Sequence, residues 1–126
     1  MPVVRRSTAP TFSAPHGGAT FIGLAAPSRG SKETSAWQVT LPPHEPGLEH
    51  SLDHEEVFVV LSGRLEVTLD GDTHEVGAGD AIIAPAHQTL SLANPFDEPA
   101  SAVAILPVGA RGRIGDGEPF TPPWAA

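Results

Sequence analysis

The chain contains no cysteine and no tyrosine. The absence of cysteine excludes disulfides, a thiol nucleophile and sulfur ligands, so any metal would be held by histidine and carboxylate alone. The absence of tyrosine removes the phenol as a general acid. Histidine, aspartate and glutamate are therefore the candidates for proton transfer.

Basic residues are also few, with 7 Lys+Arg against 15 Asp+Glu and a formal net charge of -8. A surface of this sign repels phosphate backbones and anionic lipid, so we expect neither nucleic acid nor a membrane surface as a partner. The sequence shows no secretory signal and no apolar run long enough to cross a bilayer. These features predict a cytoplasmic protein.

A chain of 126 residues is long enough for a single core, which predicts one domain over residues 1–126. Its 14 prolines and 13 glycines, together with the lack of a convincing amphipathic helix, are typical of short strands joined by turns. We expect a flexible arm at residues 1–18, a barrel at residues 20–107 and a tail at residues 108–126. The tail carries Phe120 and Trp124, which we expect to dock on the barrel.

Short segments with strand patterns recur about every ten residues. The segment 33–41 alternates and predicts a half-buried strand, whereas 56–61 is apolar after its first residue and predicts a strand covered on both faces. Asp70-Gly71 predicts a hairpin turn. Further strands are predicted at 20–25, 64–69, 72–76, 81–84, 89–93 and 101–106. The series predicts an all-β sandwich or barrel.

The segment from His50 to Gly63 is the main candidate for chemistry, because it places two histidines and a carboxylate just before a buried strand. His50, His54 and Glu56 share parity, so a regular strand would direct all three to one face. A turn between them would remove this relation.

Two stretches between about residues 47 and 94 resemble the cupin superfamily, whose motifs are G-x5-H-x-H-x3,4-E-x6-G and G-x5-P-x-G-x2-H-x3-N. The sequence matches them at His50, Glu56 and Gly63 in the first motif and at Gly79, Pro85 and Asn94 in the second. The resemblance implies an all-β, double-sheet jelly-roll barrel.

The sequence departs from the family pattern at the metal-binding positions. In the family, two histidines and the glutamate of the first motif and the histidine of the second bind one divalent metal. Here leucine replaces a histidine at Leu52 and again at Leu90, and His87 replaces the glycine of the second motif. The resemblance therefore implies a dry barrel interior with a metal site that is reduced or absent.

Three functions remain open. In the first, the barrel binds a small apolar molecule and does not catalyse a reaction. Its wall would consist of Trp37, His50, Leu52, Phe58, His87 and Leu90. In the second, His50, His54 and Glu56 hold one divalent metal (Fe, Mn, Ni, Zn or Cu) in an enzyme of dioxygenase or isomerase type.

In the third, Glu56 acts without metal as the general acid or base of an isomerase or cyclase. Desolvation would raise the pKa of this carboxyl and a charged histidine nearby would lower it, so the sequence alone leaves the sign open. We favour the first function, and we expect a homodimer because small barrels of this kind have exposed sheet edges.

Overall fold

The computed structural model describes residues 3–15 and 17–126, and Met1, Pro2 and His16 lie outside the described residues. The described chain is built almost entirely from strands. They are β1 Thr11–Ser13, β2 Thr20–Ala25, β3 Thr34–Leu41, β4 Ser51–Leu52, β5 Glu56–Ser62, β6 Arg64–Leu69, β7 Asp72–Gly77, β8 Ala81–Ala84, β9 Leu90–Ala93, β10 Ala100–Pro107 and β11 Gly112–Arg113.

The helical residues form three short 3-10 turns at Arg6–Thr8, Pro27–Arg29 and Pro123–Ala125. Among the described residues, no helix has the length and apolar character that a membrane crossing requires.

The strands form two main sheets and a two-stranded ribbon, with every pairing antiparallel. The larger sheet has the order β1-β2-β3-β10-β5-β8, and the smaller one has the order β7-β6-β9. The ribbon β11-β4 is joined to β9 through His50 and Leu90, whose backbone N–H groups donate to each other's carbonyls at 2.9 and 2.8 Å. The architecture is the double-sheet jelly roll that the motifs predict.

The core lies between the two sheets and follows directly from strand alternation. Along β3 the side chains of Trp37 and Val39 point inward, and on the opposite sheet Leu65, Val67 and Leu90 meet them. These residues are nearly inaccessible to solvent. Alternation of this kind buries one face of each sheet and leaves the other face outside.

Two turns lie where the backbone needs positive φ, and one of them is the predicted hairpin at Asp70-Gly71. Gly63 has φ +74, and a Cβ there would lie 2.5 Å from the Pro99 carbonyl oxygen, so only glycine fits between β5 and β6. Asp70 and Gly71 have φ +48 and +87, which closes the β6–β7 hairpin in the primed geometry that matches strand twist.

One prediction about β5 is wrong. Instead of being covered on both faces, this strand alternates, with Phe58 and Val60 inside and Leu61 49% exposed. Its register with β8 and β10 places Val57 beside Ile83, which is 60% exposed, and beside Ile105, which is 37% exposed. The outer face that β5, β8 and β10 form is therefore apolar and partly exposed at Val57, Ile83 and Ile105.

Part of the segment predicted as a flexible arm is also ordered. Residues Thr11–Ser13 form β1 and pair with β2, which adds an edge strand to the larger sheet. The sequence did not indicate this strand because it is only three residues long and lies between prolines and polar residues.

Candidate functional site

Glu56 is the first residue of β5 and points between the two sheets, as its alternation with Phe58 requires. It is only 3% exposed, and among the described residues its Oε1 atom has no hydrogen-bond partner. Burial raises the pKa of this carboxyl from 4.5 to about 8, because no neighbour compensates for the loss of water around the charged form. Glu56 is therefore a neutral acid at pH 7.

His50 lies just before β4 and is held by its backbone pairing with β9. Its Nδ1 atom is 2.9 Å from the carbonyl oxygen of Leu48, and since a carbonyl only accepts, Nδ1 carries the proton. Desolvation lowers the pKa of this histidine, and the bond to Leu48 opposes that shift without overcoming it. The neutral ring leaves Nε2 with a free lone pair.

Both groups open onto one cavity of about 210 Å³ between the sheets. The predicted wall residues Trp37, Leu52 and Phe58 line it together with His50 and Glu56. The rest of the wall is apolar except for Glu45. It consists of Ala14, Pro15, Ala19, Phe21, Val39, Leu41, Pro46, Leu48, Leu92, Gly112, Ile114, Phe120, Pro122 and Trp124.

Two residues predicted for this wall lie elsewhere. His87 is exposed at a turn with φ +69, where its backbone N–H donates to the Leu52 carbonyl at 2.7 Å and its neighbourhood opens into a separate surface cleft. Leu90 is 1% exposed and packs into the core behind the wall rather than on it. Leu90, which stands at the histidine position of the second motif, therefore packs in the core and does not line the cavity.

The structure does not bring His50, His54 and Glu56 together as a metal centre. A bend at residues 53 and 54 separates β4 from β5, so the parity that would have aligned the three side chains is lost. His54 turns to the surface, where its Nδ1 lies 2.8 Å from the Asp53 carboxylate. Over residues 3–15 and 17–126, no group of three or more His, Cys, Asp or Glu side chains is placed to hold a metal ion.

The metal that the fold family implies therefore does not fit this donor set. Glu45, His50 and Glu56 line the cavity without converging as a group that could hold a metal ion, and Leu52 supplies no donor. A stable site needs three or four converging ligands, so the wall is better suited to an organic molecule than to a cation.

Sequence reasoning missed the contribution of the tail to the cavity. The ring of Trp124 stacks on Phe21 with centroids 3.7 Å apart and planes 3° from parallel. Ser35 Oγ donates to the Ala125 carbonyl at 2.9 Å, and Arg29 Nη2 donates to the Trp124 carbonyl at 3.3 Å. The predicted docking of the tail aromatics is confirmed for Trp124. The tail also forms part of the cavity wall, through Phe120, Pro122 and Trp124.

The fold and motifs define a family. The cupin domain model matches residues 37–106, and the chain belongs to the cupin family. A comparison with curated proteins finds no match.

Several solved structures share the fold. The polyketide cyclase RemF from Streptomyces resistomycificus is 21% identical with a TM-score of 0.78, covering 87% of this chain and 81% of that one. A sugar phosphate isomerase of the cupin superfamily from Silicibacter pomeroyi is 18% identical with a TM-score of 0.75, covering 92% and 83%. A predicted oxalate decarboxylase from Thermotoga maritima is 20% identical with a TM-score of 0.71, covering 84% and 98%. At these identities the likeness concerns the fold alone.

Proposed function

We propose that the barrel binds a small, largely apolar molecule bearing a carbonyl or hydroxyl group, and that Glu56 and His50 move a proton on it. The observation that carries this proposal is the buried Glu56 carboxyl, whose Oε1 faces an apolar cavity without a partner among the described residues. An unsatisfied buried polar group destabilises the folded state. The presence of this carboxyl is therefore better explained by a function than by packing.

The cavity supports the choice of ligand. Its volume of about 210 Å³ lies below the roughly 300–1,000 Å³ of sites for drug-sized molecules, so the occupant is smaller. An apolar cavity of about 150 Å³ is enough for benzene. A molecule of one or two rings fits these limits, and its apolar surface matches the wall.

The two polar groups support proton transfer because their protonation states are complementary. Glu56 is protonated at pH 7 and donates to a carbonyl oxygen, while the Nε2 lone pair of His50 accepts a proton from the adjacent carbon. The product is the enol. When this enol is conjugated with a further double bond, its oxygen returns a proton to Glu56 and His50 delivers its proton to the γ-carbon, which isomerises the molecule. The same pair serves cyclisation or dehydration, in which a carbonyl must be polarised and a carbon deprotonated.

The similar structures are compatible with such chemistry. One is described as a polyketide cyclase and another as a sugar phosphate isomerase. Cyclisation and isomerisation are reaction types that the proposed proton transfer would serve.

Exchange of carbon-bound hydrogen for deuterium tests the proposal directly. Two bicyclic ketones, 1-tetralone and its saturated analogue 1-decalone, are incubated with the protein in D2O, and loss of the α-proton signal is followed by NMR. We expect the wild-type protein to accelerate exchange in at least one ketone. Glu56→Gln and His50→Gln should abolish the acceleration, because each removes one of the two proton carriers.

Glu55→Gln is the matched control, since it makes the same change on an exposed neighbouring carboxyl and should leave the rate unaltered. Chelators should leave the rate unaltered as well. Binding of a ketone without acceleration would instead establish a non-catalytic binding barrel, and absence of binding would reject the ligand class.

A further inference from the structure

Five of the seven aromatic side chains of this protein line the one apolar cavity described above. They are Phe21, Trp37, Phe58, Phe120 and Trp124. The remaining two lie away from it, with Phe12 on β1 and Phe96 beneath the Arg64 guanidinium, whose carbon is 3.9 Å from the ring centroid. The aromatic residues are therefore concentrated at the site.

These rings come from separate parts of the chain. Phe21, Trp37 and Phe58 belong to strands of the larger sheet, whereas Phe120 and Trp124 belong to the tail. Gly112 makes room for the tail, because a Cβ at that position would lie 3.3 Å from Cζ of Phe120. The sheet and the tail thus hold aromatic side chains around a common space.

The arrangement offers ring surfaces of different orientation. Trp124 is parallel to Phe21 and is tilted by 57° to Trp37 at a centroid distance of 6.5 Å. Aromatic pairs favour offset stacks and edge-to-face contacts. A flat aromatic ligand can therefore form favourable ring contacts with these side chains that a puckered saturated ring of equal size cannot form.

Simple core packing does not account for the cluster. Packed protein interiors leave few voids larger than a water molecule, yet these rings surround about 210 Å³ of empty space. The Glu56 carboxyl lines the same space, and its Oε1 has no hydrogen-bond partner among the described residues. A cluster built only for stability would close over the void.

The ionisable side chains on the wall restrict the ligand further. Two carboxyl groups line the cavity, Glu56 at depth and Glu45, whose Oε1 accepts the Gly18 N–H at 2.8 Å. Among the described residues of the wall there is no lysine or arginine to pair with an anion. The surroundings therefore disfavour a carboxylate or phosphate ligand.

We propose that the occupant is a neutral, flat aromatic molecule of one or two fused rings with a carbonyl or hydroxyl group at its edge, held against the aromatic side chains that line the cavity. This proposal rests on the proposed function, because the polar edge of the ligand is the part that meets Glu56 and His50. It adds aromaticity and neutrality, which the proton-transfer chemistry alone does not require.

Calorimetric titration with three matched probes tests it. These are 1-tetralone, its saturated analogue 1-decalone and the anionic 1-naphthoate. We expect 1-tetralone to bind about tenfold more tightly than 1-decalone, as one or two favourable ring contacts would produce, and 1-naphthoate to bind more weakly than 1-tetralone. Phe120→Leu and Trp124→Leu should each reduce the preference to about twofold or less, and Phe96→Leu should leave it unchanged.

Phe120 is 37% exposed, so its replacement keeps the test valid even if Trp124→Leu impairs folding. Equal affinity of wild-type protein for the two ketones would overturn the aromatic preference and leave the proposed function standing. Tight binding of 1-naphthoate would overturn the prediction that the ligand is neutral. If neither ketone bound, the proposed function and this inference would both fall.

Discussion

The protonation of Glu56 makes the stability of the fold depend on pH in a direction opposite to that of most carboxyl groups. Its pKa is about 8 in the folded protein against an ordinary value of 4.5. Below pH 4.5 the carboxyl is neutral in both states, so its titration does not change the stability with pH. Between pH 4.5 and 8 the unfolded chain ionises and the folded chain does not, so the folded state binds more protons and the free energy of unfolding falls as pH rises.

The size of the effect follows from the shift. Each pH unit within this window lowers the free energy of unfolding by about 1.4 kcal/mol. The total decrease amounts to about 5 kcal/mol at pH 8, above which it levels off. Because Glu56 is only 3% exposed, solvent screening does not reduce this figure much. Glu56→Gln keeps the shape of the side chain and removes the titration, so the variant should gain stability over wild type steadily from pH 4.5 to 8.

Urea unfolding followed by tryptophan fluorescence at half-unit pH intervals measures the difference. Glu55→Gln provides the control, since the same change at an exposed position should give a curve parallel to that of wild type. A constant difference between Glu56→Gln and wild type across this window would refute the reasoning, because it would mean that Glu56 titrates alike in the folded and unfolded states.

Three further predictions concern metal, packing and assembly. Untagged protein offered Fe, Mn, Ni, Zn and Cu should retain well below one metal per chain by elemental analysis, because no three donor side chains converge among the described residues; near-stoichiometric metal that is lost in Glu56→Ala would contradict this. Asn94→Ala should cost about 2–4 kcal/mol in urea unfolding, since the buried amide bonds the carbonyls of Leu41, Pro42 and Glu98 and accepts from the Phe96 N–H; a loss below about 1 kcal/mol would show that water replaces these bonds. We propose that a second copy covers the apolar outer face, so Ile83→Glu should convert a dimer into a monomer in sedimentation analysis, whereas Lys32→Glu should not; a wild-type monomer would rule out this use of the face.

Local sequence patterns predicted most of the fold. The strands β2, β3, β6 and β8 lie within one residue of their expected bounds, because alternation and apolar runs are properties of neighbouring residues. The turns at Gly63 and Asp70-Gly71 were equally predictable, since positive φ restricts the residue types that a turn accepts.

Irregular segments were harder to predict. His54 leaves the face of His50 and Glu56 because a bend interrupts the strand, and no residue type at that point marks the bend. His87 occupies a position with φ +69 that usually favours glycine, and the turn directs it away from the cavity. The structure therefore departs from the positions assigned by parity at His54 and by motif spacing at His87 and Leu90.

The sequence by itself determined that this protein is an all-β member of the cupin family, that Glu56 begins a strand, and that leucine stands where the family's histidines would bind metal. Only the tertiary structure decided what surrounds that carboxyl. The tail folds back so that Trp124 stacks on Phe21. Packing of the two sheets excludes water from Glu56 without supplying a hydrogen-bond partner for its Oε1 among the described residues. Such contacts join residues about a hundred positions apart, so they depend on how the whole chain packs and not on any local pattern.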